Sequence, residues 1–269
     1  MPKQPIAYYR ARSVDEALDL LRQPNTVPLA GGTDLLATET GIDAAVVDLQ
    51  DAGLDHLTWA DDGRLLRVGA MVRLVDLDDF LAPLTGLQGA VALLRAAIHR
   101  AGPNTYRHAA TVGGIIASRL PDSEFVAALM ALGTTVNLRL PAPETLSVAG
   151  YMADNDQPPG LITEIDVYCP QGRGAAERVA RTPADTPIVS VTLWQPDDGA
   201  ARLTATGIGP RPMRLRAAEA ALGDGTPEAI IAAAEAARAA AHHPGDFRGD
   251  AAYRAEMAAV LTRRVLQSL

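Results

Sequence analysis

The chain has 269 residues, of which 48% are hydrophobic and 21% charged, so it can bury a full core and is not intrinsically disordered. Its 24 basic and 32 acidic side chains leave a net charge of -8, which provides no basic field for nucleic acid. Residues 1–13 carry no apolar segment, and the uncharged run 125–138 is too short to cross a bilayer. We therefore expect a cytoplasmic protein without a membrane span.

Cysteine content limits the redox chemistry that the chain can carry by itself. Cys169 is the single cysteine of the sequence, which excludes an internal disulfide and any iron–sulfur or zinc site built on several thiolates. We expect no metal site in this chain. Electrons that pass through it would need an organic cofactor.

The first half of the chain mixes helix and strand signals. Ser13 in a capping position and Glu16 at the third helical position predict a helix over 13–23. The further predicted segments, in chain order, are a strand ending at paired glycines (27–32), a buried strand (44–50), a strand followed by a turn (64–77) and an amphipathic helix (87–102).

The second half begins after a polar, proline-bearing loop at 153–160. Three strand-like runs predict a three-stranded antiparallel sheet, and two alanine-rich runs predict terminal helices: 161–169, 188–195 and 201–209, then 226–243 and 252–269. We place a domain boundary near residue 165. Arg254, within the last helix, is expected to serve packing and surface pairing.

A pair of glycines interrupts the apolar sequence VPLAGGTDLLAT at 27–38. Gly31 and Gly32 can adopt positive φ and let a ligand approach the main chain, and Thr33 adds a hydroxyl donor. The turn could therefore direct several N–H groups at an anion. Two glycines after a strand are more often a tight turn, and neither the dinucleotide-binding nor the P-loop pattern is matched.

A second glycine pair occurs in HAATVGGIIAS at 108–118. It repeats the order of small residue, threonine, paired glycine and apolar run. Two such loops would suit a diphosphate that bridges two nucleotide halves. From chemistry alone, two unrelated turns explain the pattern equally well.

Several motifs together resemble one protein family. The segments LAGGTDLL (29–36), ATVGG (110–114) and PDSE (121–124) are similar to the FAD-binding medium subunit of molybdenum hydroxylases, the group of xanthine dehydrogenase, aldehyde oxidoreductase and carbon monoxide dehydrogenase. The resemblance continues through 177–191, 207–222 and 246–266. It therefore extends, in order, over nearly the whole chain.

The resemblance implies an α+β protein with an FAD-binding fold of the vanillyl-alcohol-oxidase (PCMH) type. That domain would span 1–165, as two α/β subdomains of about 1–55 and 56–165. A C-terminal domain, with the three-stranded antiparallel sheet and helices, would span 166–269.

The resemblance also implies a set of cofactor-binding residues. They are Leu29, Ala30, Gly31, Gly32, Thr33, Asp34 and Leu35 on one side of the FAD diphosphate, Ala110, Thr111, Gly113 and Gly114 on the other, and Glu124 and Arg178. Glu124 stands where the family usually has an aspartate that contacts the sugar-like chain of the flavin. Arg178 stands where a lysine often lies near the flavin and keeps its positive charge. Ile115 replaces an asparagine of many members.

By the same resemblance, the chain would be an oxidoreductase subunit of a heterotrimer and would hold FAD non-covalently. FAD would accept electrons from [2Fe-2S] clusters of a small partner subunit and pass them to an external acceptor. The substrate would be oxidised on a large molybdopterin subunit, so no catalytic acid or base is expected here. The alternative is a flavin-free structural or assembly paralogue of the same fold, favoured only by Ile115 and Glu124.

Overall fold

The computed structural model describes residues 4–37, 41–84, 88–139, 142–154, 156, 158, 160–223 and 225–268. Its helices are α1 (Val14–Leu21), α2 (Leu74–Leu81), α3 (Gln88–Arg100), α4 (Asn104–Ala109), α5 (Val112–Ser118), α6 (Glu124–Leu132), α7 (Val148–Ala153), α8 (Arg216–Leu222), α9 (Pro227–Ala240) and α10 (Ala251–Gln267). Within these residues, no helix combines the length and the hydropathy needed to span a bilayer.

Fourteen strands are found in the described residues. They are β1 (Tyr8–Arg10), β2 (Thr26–Leu29), β3 (Ala45–Asp48), β4 (Leu57–Ala60), β5 (Leu65–Gly69), β6 (Thr135–Arg139), β7 (Glu144–Ser147), β8 (Leu161–Tyr168), β9 (Gly172–Val179), β10 (Val189–Pro196), β11 (Arg202–Thr206), β12 (Met213–Arg214), β13 (Gly245–Asp246) and β14 (Gly249–Asp250).

A small parallel sheet at the N-terminus carries the first glycine pair. Its strand order is β1-β3-β2, and the central strand β3 is buried along its whole length. The capping prediction for α1 is confirmed, because Ser13 Oγ accepts the N–H of Glu16 at 3.2 Å and Glu16 Oε2 accepts the N–H of Arg12 at 2.8 Å. The glycine pair follows β2 directly, so it lies at the carboxyl edge of this sheet.

A five-stranded antiparallel sheet, in the order β4-β5-β8-β6-β7, forms the centre of the molecule. Its inner face packs against α3, α5 and α6 in one continuous apolar core. Helix α6 is buried at every position from Glu124 to Leu132, which explains why its sequence reads as an apolar run without polar faces. The second glycine pair begins α5, on the same face of the sheet.

The third sheet differs from the prediction in its number of strands. It has four, in the order β12-β11-β10-β9, whereas the run 161–169 was predicted to supply its first strand. That run forms β8, which pairs with β5 and β6 of the central sheet. Strand β9 takes the predicted place, with an eight-residue register from Val189↔Val179 to Pro196↔Gly172.

Strand β9 was missed because its sequence, GRGAAERV, contains a single β-branched residue and two glycines and so carries no strand pattern. Pairing with β10 forms it. The predicted boundary at residue 165 falls inside β8, and since β8 belongs wholly to the central sheet, we propose a boundary at 169–171 instead.

Candidate functional site

The two glycine loops face each other across one cleft. We define the first glycine loop as residues 30–35 and the second as residues 109–115. The cleft has a volume of about 290 Å³, at the lower end of the range for small-molecule sites. Its described lining is Val27, Pro28, Ala30, Gly31, Gly32, Thr33, Asp34, Leu35, Leu49, Ala70, Met71, Tyr106, Thr111, Gly113, Gly114, Ile115, Ala117, Ser118, Leu120, Tyr151, Gly160, Leu161 and Ile162.

The loops approach each other main chain to main chain. A Cβ added to Gly31 would lie 1.9 Å from the carbonyl oxygen of Ala109, a distance that no side chain can occupy without separating the loops. Gly32 has a φ of 70°, the left-handed region that glycine adopts without steric cost. Gly31 is therefore required by its close contact with Ala109, and Gly32 is required by its positive φ.

The N–H groups of the two loops are used differently. In the second loop, the N–H of Val112 and of Gly113 donate to the carbonyl oxygens of Val72 and Ala70, both at 2.9 Å. The N–H of Gly114 donates to Thr111 Oγ1 at 3.2 Å. In the first loop, by contrast, the N–H groups of Gly31 and Gly32 donate to no acceptor in the described part of the chain.

This difference refines the predicted roles of the loops. The first loop has the N–H groups of Gly31 and Gly32 left for an anion, whereas those of Val112, Gly113 and Gly114 in the second loop are already bonded. Thr111, Gly113 and Gly114 line the cleft, but the N–H groups of both glycines are already bonded within the protein. That these three residues hold a diphosphate stays a prediction, and it would require contacts other than those two N–H groups.

Tyr106, which the sequence analysis did not select, adds a hydroxyl to the cleft. It lies on α4 and interacts with the side chain of Thr33 in the first loop. Burial raises the pKa of Tyr106, and the Thr33 hydrogen bond only partly opposes that shift. The phenol therefore stays protonated at neutral pH and can donate a hydrogen bond into the cleft. No periodicity or glycine signal marks this residue in the sequence.

The apolar wall of the cleft was also missed. Met71 follows β5, Leu161 and Ile162 begin β8, and Tyr151 lies on α7, so they meet only because the central sheet brings them together. Ile115 joins this wall and is buried, which places an apolar side chain where many members of the resembled family have an amide. The cleft thus has one polar side and one apolar side.

Four of the predicted residues lie outside the described cleft lining, and two of them, Glu124 and Arg178, pair with each other. Glu124, 4% exposed, forms an ion pair with Arg178 at 3.1 Å and a longer one with Arg100 at 3.7 Å. Burial raises the pKa of Glu124, and the charges of Arg178 and Arg100 oppose that shift. Their contacts to a flavin stay predictions. The pair joins the first turn of α6 to β9, since Glu124 begins the helix and Arg178 lies on that strand.

Leu29 and Ala110 flank the cleft without lining it. Leu29 ends β2, and its Cδ1 atom would lie 3.6 Å from a Cβ added to Gly32. Ala110 is fully buried, and its carbonyl oxygen accepts the N–H of Leu74 at 3.0 Å. Neither residue belongs to the described cleft lining, so their contact with FAD stays a prediction.

Metal ligands do not gather anywhere in the described residues, where no three His, Cys, Asp or Glu side chains form a candidate site. Burial raises the pKa of the Cys169 thiol to about 12. The thiol therefore stays protonated and is a poor nucleophile and metal ligand.

Two protein-family models match the chain. The family model described as the FAD binding domain in molybdopterin dehydrogenase matches residues 4–167, more than half of the chain. The chain belongs to this family. Residues 186–269 match a second model, the CO dehydrogenase flavoprotein C-terminal domain. The predicted family, the PCMH-type FAD-binding fold and the C-terminal domain are confirmed, and the chain is an oxidoreductase subunit by family.

Individual relatives cover nearly the full chain. The sequence is 33% identical to the uncharacterized protein YgfM of Escherichia coli K12 over 94% of this chain and 92% of that protein. It is 28% identical to the carbon monoxide dehydrogenase medium chain of Afipia carboxidovorans over 97% of this chain and 95% of that one.

Among solved structures, carbon monoxide dehydrogenase from Hydrogenophaga pseudoflava matches with a TM-score of 0.88 and 27% identity. The match covers 99% of this chain and 97% of that one. Quinoline 2-oxidoreductase from Pseudomonas putida 86 has a TM-score of 0.85 at 21% identity, which supports the fold alone.

Proposed function

We propose that this protein binds FAD non-covalently in the cleft between the glycine loops and serves as the electron-transfer subunit of a molybdenum-containing hydroxylase or dehydrogenase. Electrons would come from [2Fe-2S] clusters of a small partner subunit and leave to an external acceptor. Substrate oxidation would take place on a large molybdopterin subunit. A cytoplasmic location is part of the same proposal.

One observation carries the proposal: the main-chain contact between Gly31 and Ala109, which closes two glycine loops around a single cleft. A Cβ at Gly31 would fill space that the loops need, and the free N–H groups of Gly31 and Gly32 face no protein acceptor among the described residues. A diphosphate needs such a combination of close approach and main-chain donors. The residues present therefore fit FAD.

The roles of the chain's own residues follow from the two sides of the cleft. Gly31, Gly32 and Thr33 would donate hydrogen bonds to the diphosphate oxygens. Met71 and Leu161 would pack against the bound molecule and exclude water from it. When bound, FAD supplies a centre that exchanges electrons singly or in pairs, and the protein contributes its position and surroundings.

The relatives support the assembly part of the proposal. The names of the carbon monoxide dehydrogenase and Sulfolobus acidocaldarius glyceraldehyde dehydrogenase relatives identify them as medium chains. This chain is 98% covered by the second of these at 26% identity. A chain with one buried cysteine and no metal-ligand group in its described residues would depend on such partners as a source of electrons.

The cofactor prediction has a direct test. We expect the purified chain to carry on the order of one FAD, with an absorption spectrum typical of oxidised flavin. Acid precipitation should release the colour to the supernatant, because neither glycine loop holds a cysteine and no covalent link is expected. Colour retained in the pellet would contradict non-covalent binding. A colourless protein that also fails to bind added FAD would favour the flavin-free assembly paralogue.

The assembly prediction needs a separate experiment. We expect the affinity-tagged chain, co-expressed with the reading frames next to its gene, to copurify with an iron–sulfur subunit and a large molybdopterin subunit. The tagged chain expressed alone is the control for non-specific capture. A chain that stays monomeric beside these candidates, or that oxidises an organic substrate at full rate by itself, would contradict the subunit role.

A further inference from the structure

Two hydroxyl groups, those of Tyr106 and Thr33, meet in the cleft. Tyr106 lies on α4 and Thr33 lies in the first glycine loop, and both residues line the cleft. The phenol hydroxyl of Tyr106 is hydrogen-bonded to the side chain of Thr33. Thr33 directly follows Gly31 and Gly32, whose N–H groups donate to no acceptor in the described part of the chain. The hydroxyl pair therefore lies beside these main-chain donors.

The ring of Tyr106 is held in place by the turn between α3 and α4. A Cβ added to Gly102 would lie 3.0 Å from the Cδ1 atom and 3.1 Å from the Cγ atom of the ring, so the ring packs directly on this glycine. Arg107 Nη1 donates to the carbonyl oxygens of Gly102 at 2.9 Å and of His99 at 3.2 Å, which ties α4 to the end of α3. The phenol is thus preorganised toward the first loop, which lowers the entropic cost of its hydrogen bond.

The phenol of Tyr106 keeps its proton at neutral pH. Burial raises the pKa of Tyr106, and the charges of Asp34 and Asp122 raise it further, against the opposing effect of the Thr33 hydrogen bond. The ordinary pKa of tyrosine is already about 10. Tyr106 can therefore act as a hydrogen-bond donor.

The number of hydrogens decides which hydroxyl donates once an anion is bound. A threonine hydroxyl carries one hydrogen and can also accept through its oxygen, whereas an ionised diphosphate only accepts. If Thr33 donates its one hydrogen to the diphosphate, it can bond Tyr106 only as an acceptor. Tyr106 must then be the donor, and two hydrogen bonds in such a chain strengthen each other.

We propose that Tyr106 is a positioning residue for the diphosphate of FAD. Its phenol donates to Thr33 Oγ1 and thereby directs the Thr33 hydroxyl hydrogen toward a diphosphate oxygen. This inference rests on the proposed function and adds a residue that acts through Thr33. The effect of the Tyr106 hydroxyl should therefore depend on a hydroxyl at position 33 and on the diphosphate, and not on the flavin ring.

Binding measurements on the full-length chain, freed of flavin, test this inference. The affinity for FAD is measured by flavin fluorescence, and the affinity for ADP, which has a diphosphate but no flavin ring, by calorimetry. Tyr106→Phe removes only the hydroxyl and should weaken the binding of both FAD and ADP about fivefold, since one hydrogen bond is lost. Tyr168→Phe changes an exposed tyrosine on β8, outside the described cleft lining, and is the matched control that should leave both affinities unchanged.

A double-mutant cycle assigns the effect to Thr33. Thr33→Val keeps the branched shape of the side chain and removes the hydroxyl, so adding Tyr106→Phe to it should change either affinity by less than about twofold. Thr33→Ser restores a hydroxyl, and in that background Tyr106→Phe should again weaken binding about fivefold. Circular dichroism is recorded for every variant, so that a loss of affinity is compared only among folded proteins.

Several results would overturn the role given to Tyr106 while leaving the proposed function intact. These are unchanged affinities in Tyr106→Phe, a loss for FAD without a loss for ADP, no ADP binding by a wild-type protein that binds FAD, and an equal effect of Tyr106→Phe with and without the Thr33 hydroxyl. A loss for FAD alone would mean that Tyr106 acts on the flavin ring. A wild-type chain that binds neither FAD nor ADP would contradict the proposed function together with this inference.

Discussion

Gly31→Ala is expected to abolish FAD binding while leaving most of the protein folded. The added Cβ would lie 1.9 Å from the Ala109 carbonyl oxygen, and since that atom belongs to the main chain, the two loops must separate. Separation moves the N–H groups of Gly31 and Gly32 away from a ligand held by the second loop. We expect the affinity for FAD to fall by about 100-fold or more, the consequence of losing about 3 kcal/mol of binding free energy, so that the purified variant carries little FAD.

Gly32→Val tests the same site by another route. Its φ of 70° is strained for a β-branched residue, whereas its nearest obstacle is the exposed and movable side chain of Leu36. Gly53→Val is the control, because Gly53 has a φ of 74° and no atom within 4 Å of its added Cβ. It therefore carries the same backbone strain away from the cleft.

FAD content by absorbance and secondary structure by circular dichroism are measured for all three variants. Full FAD content in Gly31→Ala would show that the loop contact is unnecessary for binding. Loss of secondary structure in the cleft variants, with Gly53→Val intact, would mean that the glycines serve folding rather than the ligand. Equal loss in Gly53→Val would assign the effect to backbone strain.

Arg254→Met should be among the most destabilising single substitutions in the C-terminal domain. Arg254 is 1% exposed. It donates to the carbonyl oxygens of Ile188 at 2.6 Å, Gly207 at 2.7 Å and Gly249 at 3.1 Å. Its Nη2 atom also donates to Asp246 at 2.6 Å. Methionine fills much of the volume but leaves these acceptors unpaired, so we expect the free energy of unfolding to fall by about 3–5 kcal/mol.

Denaturant unfolding measures this loss, with Arg263→Met on the same helix as the control. Arg263 is exposed, so its substitution should change stability by less than about 0.5 kcal/mol. A change below about 1 kcal/mol in Arg254→Met would contradict the role given to its hydrogen bonds. Both variants remove one positive charge from α10, so a difference in their stability reports the loss of the buried hydrogen bonds and not the change in net charge.

Asp246, which accepts a hydrogen bond from Arg254, should make the stability of the C-terminal domain depend on pH. Burial alone would raise the pKa of Asp246, but the hydrogen bond from Arg254, with those from the N–H groups of Arg248 and Gly249, holds it well below its ordinary value. Because the folded pKa is depressed, the stabilisation is present above about pH 4, the ordinary aspartate value, and is lost as the pH falls toward the lowered pKa. Asp246→Asn should weaken this dependence on acid.

Local signals in the sequence predicted α1, α3, α9 and α10 and marked both glycine loops, whereas the other six helices of the described residues were not predicted. Ser13 and Glu16 specify the start of α1 through contacts within a few residues. The paired glycines mark both loops because side-chain-free backbone is needed there whatever surrounds it. The family resemblance rested on such local motifs, spaced along the whole chain, and it was confirmed over residues 4–167 and 186–269.

Long-range pairing decided the features that the sequence analysis missed. Strand β9 has no strand pattern of its own and forms because β10 offers it a complete ladder of hydrogen bonds. The run 161–169 has the pattern of a strand, but this pattern does not indicate which strands it pairs with. In the structure it forms β8, which pairs with β5 and β6 and not with β10. Alternation of apolar residues reports burial of a face and carries no information about which sheet buries it.

The cleft likewise depends both on local sequence signals and on long-range contacts. Gly31 could be selected from the sequence, but its contact with Ala109, at the end of α4, arises only when the fold brings together segments 78 residues apart. Tyr106, Met71 and Leu161 line the cleft for the same reason, without any local motif. Arg254 could be expected to pair, but its burial follows from carbonyl oxygens on distant segments that only the folded chain places around one guanidinium. Local sequence specifies backbone conformation, whereas the free energy of packing and of buried hydrogen bonds depends on partners that the fold selects.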